Sequence, residues 1–184
     1  RESKRRVPHF SYVEEVDVTA LEELRAALNK AESQRPRLTV LPFLIRAIVL
    51  AVARHPEINC HFHDAQDVVR KFSAVHAGIA TQTERGKSDR ADLVGSTITV
   101  TSLGVLGGIM ATPIINPPEV AIIGVNKIAE RAAVVDSRIV IRKMMNLSSS
   151  FDHRIVDGHQ AAAFIAGVKE QLENPRQLAN GAAK

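Results

Sequence analysis

The stretch VAIIGVNKI, Val120 to Ile128, is almost wholly apolar and rich in β-branched residues. A strand of this kind must be covered on both faces, as in the centre of a layered fold. The covering elements can be read on either side of it. TALEELRAALNKAES, Thr19 to Ser33, repeats Leu21, Leu24 and Leu28 at helical spacing, and Thr19 with Glu22 three residues on has the pattern of a capping box. LTVLPFLIRAIVLAVARH, Leu38 to His55, is apolar on most sides and reads as a buried helix with Thr39 near its start. It is short for a membrane span and carries Pro42 and Arg46. GHQAAAFIAGVKEQLENP, Gly158 to Pro175, is a last helix with Ala162, Ile165, Val168 and Leu172 on one stripe.

Strand patterns fill the remainder. They run over Phe10–Val18, once or twice within Val68–Thr83, over Ser96–Gly104, and twice around a turn at Asp136 and Ser137. The order predicts an α+β fold, a two-layer sandwich of a mixed β-sheet and packed helices, in one domain over residues 1–184. The ends, Arg1–Arg6 and Asn180–Lys184, read as unanchored.

Composition excludes several functions. The net charge is only +4 and the basic residues concentrate in RESKRR, while aromatics make up 4% with no Trp and one Tyr. Neither a basic stripe nor a stacking platform for nucleic acid is available. Cys60 is the only cysteine, which excludes an internal disulfide and fits a reducing compartment: cytoplasm, or the mitochondrial matrix in a eukaryote. A metal site at NCHFHD is the competing reading, with Cys60, His61, His63 and Asp64 close in sequence. On a strand, though, Cys60 faces away from the two histidines, so the expectation is no metal.

The stretch that carries chemistry is SSSFDHRIVDGHQAAAFI, Ser148 to Ile165. His153 stands where a strand ends and a helix begins, a junction that holds a side chain rigidly with one edge open. A neutral imidazole there can accept a proton from a thiol or hydroxyl. On spacing alone, a surface turn with Asp157 capping the last helix is the commoner arrangement.

DHRIVDG following NLSSSF resembles the active-site signature of the acyltransferase cores of 2-oxo acid dehydrogenase complexes, relatives of chloramphenicol acetyltransferase. VPHFSYVEEVDVTALEELR, LTVLPFLIRA, HPEIN, GIATQTERG, TVTSLGVLGG and TPIINPPEVAIIGV match in the same order, over nearly the whole chain. NKIAERAAVV and VIRKMMNLSSSFDHR are most similar to bacterial branched-chain members.

The resemblance implies transfer of an acyl group, of branched-chain type, from a dihydrolipoyl arm to coenzyme A; the acetyl- and succinyl-specific homologues are the alternatives. His153 would be the general base on the coenzyme A thiol. Thr101 would be the oxyanion donor in the place where the family has serine, with Ser102 as fallback. Asp157 would organise the loop through an arginine, Arg25 or Arg154. Coenzyme A contacts carried over by motif are Arg25, Thr39, Gln82, Ser102 and Asn126. Arg25 is equally suited to pair with Glu22, and Thr39 to be an N-cap. Both Thr101 and Ser102 also suit a β-strand for reasons unrelated to chemistry.

The resemblance further implies homotrimers, with the active site between subunits, that assemble into a cube of about 24 copies or a cage of about 60. Its partners would be the decarboxylase and dihydrolipoamide dehydrogenase components, with no membrane and no nucleic acid. A non-catalytic assembly core is the alternative from a different functional class. The lipoyl group would come from a domain absent here, since the chain shows neither a lipoyl hairpin nor a subunit-binding domain. One departure stands out. GIATQTERG passes directly into KSDRADLVGS, so the strand and helix that the family places between Gly86 and Lys87 are missing.

Overall fold

The computed structural model describes residues 3–31, 36–80, 95–102, 104 and 107–179. In chain order the elements are α1 (Ser3–Arg6), β1 (His9–Asp17), α2 (Thr19–Ala31), α3 (Leu41–Val52), β2 (Cys60–His63), β3 (Val68–Lys71) and β4 (Ala77–Ala80). They continue with β5 (Ile98–Ser102), β6 (Ala121–Val125), β7 (Ala129–Val135), β8 (Arg138–Asp152), α4 (Gly158–Glu173) and α5 (Arg176–Ala179). The main sheet runs β1-β8-β6-β5-β4, with β7 also paired to β8, and β2 and β3 form a separate antiparallel pair. β4, β5 and β6 are mutually parallel, whereas β8 is antiparallel to β1, β6 and β7. This is the mixed-sheet α+β sandwich expected from the sequence.

β6 is covered on both faces, as its composition demands. Ala121 and Ile123 join the main core under the helices, while Ile122 packs with Val7 and Ile115 in a small cluster on the opposite side. β8 organises the layers. Met145, Leu147 and Phe151 lie in the main core with Phe164, Ile165 and Leu172 of α4. The serine run of β8 is fully buried, and each hydroxyl is bonded: Ser148 donates to Asn126 Oδ1 (2.7 Å), Ser149 to the Tyr12 carbonyl (3.0 Å), and Ser150 pairs with Ser11 (3.2 Å). Burial of polar groups is tolerated only with such partners.

Several expectations change. The helix read over Leu38–Arg54 starts at Leu41 after Val40, without a side-chain cap, so Thr39 is not its N-cap. α3 buries one face only: Leu44, Ala47 and Ile48 are inaccessible, while Val49 and Leu50 are exposed. The Thr19–Glu22 capping box does not form. The Thr19 hydroxyl donates to Asp17 (2.5 Å) and accepts from the Lys143 amide (2.9 Å), and the Glu22 carboxylate is taken by Arg25. The reciprocal box occurs instead at α4, where Asp157 accepts from the Gln160 amide and the Gln160 side chain accepts from the Asp157 amide. Residues 3–6 are not loose. Ser3 donates to the Ile115 carbonyl at 2.7 Å, and Val7 N–H closes the turn on Ser3.

Candidate active site

His153 follows the last residue of β8 and is exposed. Its amide donates to the Pro8 carbonyl (3.0 Å), and its ring lies 4.6 Å from the Phe10 ring at an interplanar angle of 48°. The turn closes on Asp152, whose carbonyl accepts from the Ile155 and Val156 amides. The Asp152 carboxylate is buried and accepts from Arg154 Nε (2.9 Å), Nη2 (2.7 Å) and the Arg154 amide (3.1 Å). These hydrogen bonds to Asp152 are the largest cause of the rise in the Arg154 pKa above the ordinary guanidinium value.

Asp157 is the N-cap of α4 and has no arginine partner among the described residues. Arg25 donates to Glu22 through Nε (2.7 Å) and Nη2 (2.8 Å), and Arg154 is held by Asp152 and Asp64. Neither Arg25 nor Arg154, the two candidates from the sequence, locks Asp157 in this structure. The Arg25–Glu22 pair holds Glu22 below the usual carboxylate range.

Thr101 and Ser102 end β5, both half-buried, in parallel register with Gly124 and Val125 of β6. Beyond these strand ends lies a cavity of about 540 Å³, of a size that suits a small-molecule ligand. Three of the residues assigned to coenzyme A, Thr39, Ser102 and Asn126, line it together with Leu44, Lys127 and Met145. Asn126 is oriented by a relay: Ala111 N–H donates to Ser148 Oγ, which donates to Asn126 Oδ1. Arg25 reaches this region indirectly. Its Nη1 donates to the carbonyl of Leu38, the residue before Thr39 (3.2 Å). Gln82 lies outside the described residues.

Lys127 and Ser148 were not foreseen in the sequence. The signal for Ser148 was the serine run itself, because three consecutive hydroxyls in a buried strand each require a partner.

The pairing register fixes the distance between the two halves of the site. Thr101 is aligned with Gly124, and Gly124 with Ser148, five residues before His153 on β8. That corresponds to roughly 16 Å along the strands and about 10 Å across two of them. A hydrogen bond needs about 3 Å, so the imidazole and the hydroxyl of one chain do not meet.

The NCHFHD segment does not form a cage. Cys60 is buried in the main core and donates to the Glu57 carbonyl, and burial pushes its thiol up to about 11. His61 Nε2 lies 2.8 Å from the Ser96 carbonyl. Among the described residues no group of three or more His, Cys, Asp or Glu side chains is placed to hold a metal ion.

Comparison with known proteins adds to this geometry. The family model described as 2-oxoacid dehydrogenases acyltransferase (catalytic domain) matches residues 1–87 and 84–180. The lipoamide acyltransferase component of the branched-chain alpha-keto acid dehydrogenase complex of Pseudomonas aeruginosa is 52% identical over 210 residues, covering 97% of this chain and 49% of that protein. The Pseudomonas putida counterpart is 50% identical, with 97% and 50% covered. The chain thus spans about half the length of these curated relatives. The 210 aligned positions exceed the 184 residues of this chain, so the Pseudomonas aeruginosa protein has positions with no counterpart here.

Among solved structures, the dihydrolipoamide acetyltransferase of Azotobacter vinelandii superposes with a TM-score of 0.88 at 30% identity, over 97% of this chain and 86% of that one. Chloramphenicol acetyltransferase shares the fold, with a TM-score of 0.62 at 14% identity over 90% of this chain and 89% of that one. The chain belongs to the family of 2-oxo acid dehydrogenase acyltransferase catalytic domains.

Proposed function

We propose that this domain moves an acyl group from a dihydrolipoyl arm to coenzyme A, with His153 as general base and Thr101 as oxyanion donor. One observation carries the assignment of residues. A serine, a histidine and an asparagine were investigated in the catalytic mechanism of the Azotobacter acetyltransferase, spaced 52 and four positions apart, and Thr101, His153 and Asp157 keep both spacings. Threonine retains the hydroxyl of serine and adds a methyl that restricts χ1.

In this reading His153 takes the thiol proton of coenzyme A, and the resulting thiolate attacks the acyl thioester carbonyl. The Thr101 hydroxyl donates to the oxyanion of the tetrahedral intermediate, a contribution of about 3 kcal/mol by analogy with other oxyanion holes. Collapse of the intermediate breaks the bond to the dihydrolipoyl sulfur, which takes the proton back from His153. The coenzyme occupies the cavity of Thr39, Ser102, Asn126 and Lys127, where apolar walls suit a pantetheine arm and the polar side chains supply donors.

Because His153 and Thr101 of one chain are too far apart, a working site takes its imidazole from one subunit and its hydroxyl from another. A homotrimer, built into a cubic core of about 24 copies or a cage of about 60, provides that arrangement. A structure described as the cubic core of a pyruvate dehydrogenase complex superposes with a TM-score of 0.86 at 30% identity, over 97% of this chain and 86% of that one. Val134, Ile139 and Ile141, at least 74% exposed on the β7–β8 hairpin, form an apolar stripe that favours association.

The branched-chain assignment rests on identity. It is 52% and 50% to the Pseudomonas branched-chain components, against 34% to a Bacillus subtilis acetyltransferase component and 33% to a Haemophilus influenzae succinyltransferase component. The lipoyl group comes from another domain, and decarboxylase and dihydrolipoamide dehydrogenase components complete the complex, in the cytoplasm of a bacterium. The two matched pieces of the family model, residues 1–87 and 84–180, overlap at 84–87, which supports the reading that a family segment is missing around Gly86 and Lys87.

The test is His153→Ala. Acyl transfer to coenzyme A falls to background while the assembly keeps its size; unchanged turnover refutes the assignment of the base.

A further inference from the structure

The NCHFHD segment has a role in this structure that its composition did not suggest. Phe62 and Asp64 stand on and just after β2, in the small second sheet, far in sequence from the turn that carries His153. Both nevertheless hold Arg154, the residue after His153. The guanidinium carbon of Arg154 lies 4.5 Å above the centroid of the Phe62 ring, and Nη1 donates to Asp64 Oδ1. The other edge of the same guanidinium grips the buried carboxylate of Asp152, the residue before His153, through Nε and Nη2.

The two neighbours of His153 are thereby tied to each other, while the His153 ring packs on Phe10 and its amide is fixed by the Pro8 carbonyl. The β2–β3 pair that anchors this arrangement is itself fastened to the segment before β6. Phe62 N–H donates to the Pro118 carbonyl (2.8 Å), and His61 forms an isolated bridge with Glu119.

We propose that Arg154, seated on Phe62 and Asp64, is a positioning residue for His153, so that the β2–β3 hairpin sets the direction in which the imidazole points. This rests on His153 being the base. The planar guanidinium matters as a fork and as a plate, because it makes a paired contact with one carboxylate, reaches a second and lies on an aromatic face. An ammonium group cannot do all three.

Asp64 is the informative position to change. Its side chain is 39% exposed and touches neither the cavity nor His153, so its removal leaves the core intact. In the assembled protein, Asp64→Ala lowers kcat about tenfold while KM for coenzyme A stays within about twofold, as expected for a displaced base in an intact pocket. Arg154→Lys gives a similar loss, because charge alone does not restore the fork, and Asp64→Glu recovers most of the turnover. The crystal structure of Asp64→Ala shows the His153 ring displaced from its 4.6 Å contact with Phe10.

Asp64→Ala and Arg154→Lys proteins with unchanged kcat, or a ring still seated on Phe10, overturn the proposal. His153→Ala separates the two levels of the argument. Turnover retained in that variant removes the base assignment itself, whereas turnover lost there but kept in Asp64→Ala removes only the positioning role.

Discussion

Thr101 on β5 and His153 just after β8 stand on either side of β6, and the register of the strands sets them five residues apart along the sheet. The hydroxyl belongs to the end of β5 that opens on the cavity, and the imidazole to the opposite end of β8. In the proposed mechanism these are the two halves of one reaction centre, so the centre is completed by apposing copies and the interface between them is part of the proposed chemistry.

Asp157 distinguishes capping from charge. Asparagine caps a helix as well as aspartate does, whereas alanine costs about 1 kcal/mol. Asp157→Asn is expected to keep both the melting temperature and most of the turnover, as the asparagine studied in the Azotobacter enzyme suggests. Asp157→Ala is expected to lower stability by about 1 kcal/mol in denaturant titration. A large loss of turnover in the asparagine variant restores a charged role for this residue.

Gly124 is a backbone-proximity position. A Cβ there would lie 2.8 Å from the Ser148 carbonyl oxygen, inside normal contact, and 3.6 Å from the Thr101 methyl. Gly124→Ala must push β6 off β8, and a loss of about 1–3 kcal/mol is expected from calorimetry. Turnover should fall as well, because the shift reaches Thr101.

Glu119 is buried and accepts hydrogen bonds from Ser96 and Thr99 of the β5 segment and from Asn116 (3.3 Å). Glu119→Ala leaves those donors without an acceptor, at about 1–3 kcal/mol for each one that stays dry. The melting temperature should drop by more than in Glu119→Gln, which keeps a carbonyl oxygen.

Lys169 joins α4 to β1 by donating to Glu14 Oε1 (2.6 Å), and that bond is the main reason the Glu14 carboxyl is held below the usual glutamate range. A carboxyl lowered on folding stabilises the protein above its unfolded pKa, about 4.3, and loses that contribution as pH falls through the folded value. Stability measured downward from pH 6 should therefore decline below about pH 4 less steeply in Lys169→Met than in the parent. At pH 7 the same change should cost within about 1 kcal/mol, since both side chains are partly exposed.

The layers of this fold were legible because they follow from periodicity. Of the apolar run at Val120–Ile128, the strand Ala121–Val125 obtained the cover on both faces that its composition required, and the turn at Asp136 and Ser137 has the positive φ angles (50° and 61°) suited to a two-residue hairpin. Partner choice was less legible, because it is decided by residues distant in sequence. Thr19 and Glu22 satisfy a capping rule locally, yet Lys143 and Arg25 take their side chains. The same rule is realised at Asp157 and Gln160, where no competitor is near.

The site divides in the same way. Thr39, Ser102 and Asn126 meet in one cavity, whereas Arg25 and Arg154 are both engaged by other carboxylates and leave Asp157 to the helix. The anchoring of Arg154 by Phe62 and Asp64 joins segments about ninety residues apart, which no local pattern reveals.

The most direct measurement is subunit complementation. His153→Ala and Thr101→Ala chains, each inactive alone, are unfolded together and reassembled in equal amounts, and acyl transfer to coenzyme A is assayed. If the imidazole of one subunit works with the hydroxyl of its neighbour, every mixed trimer contains one intact site and about a quarter of wild-type turnover returns. Mixed assemblies of normal size with no activity above that of the separate variants would contradict a shared site.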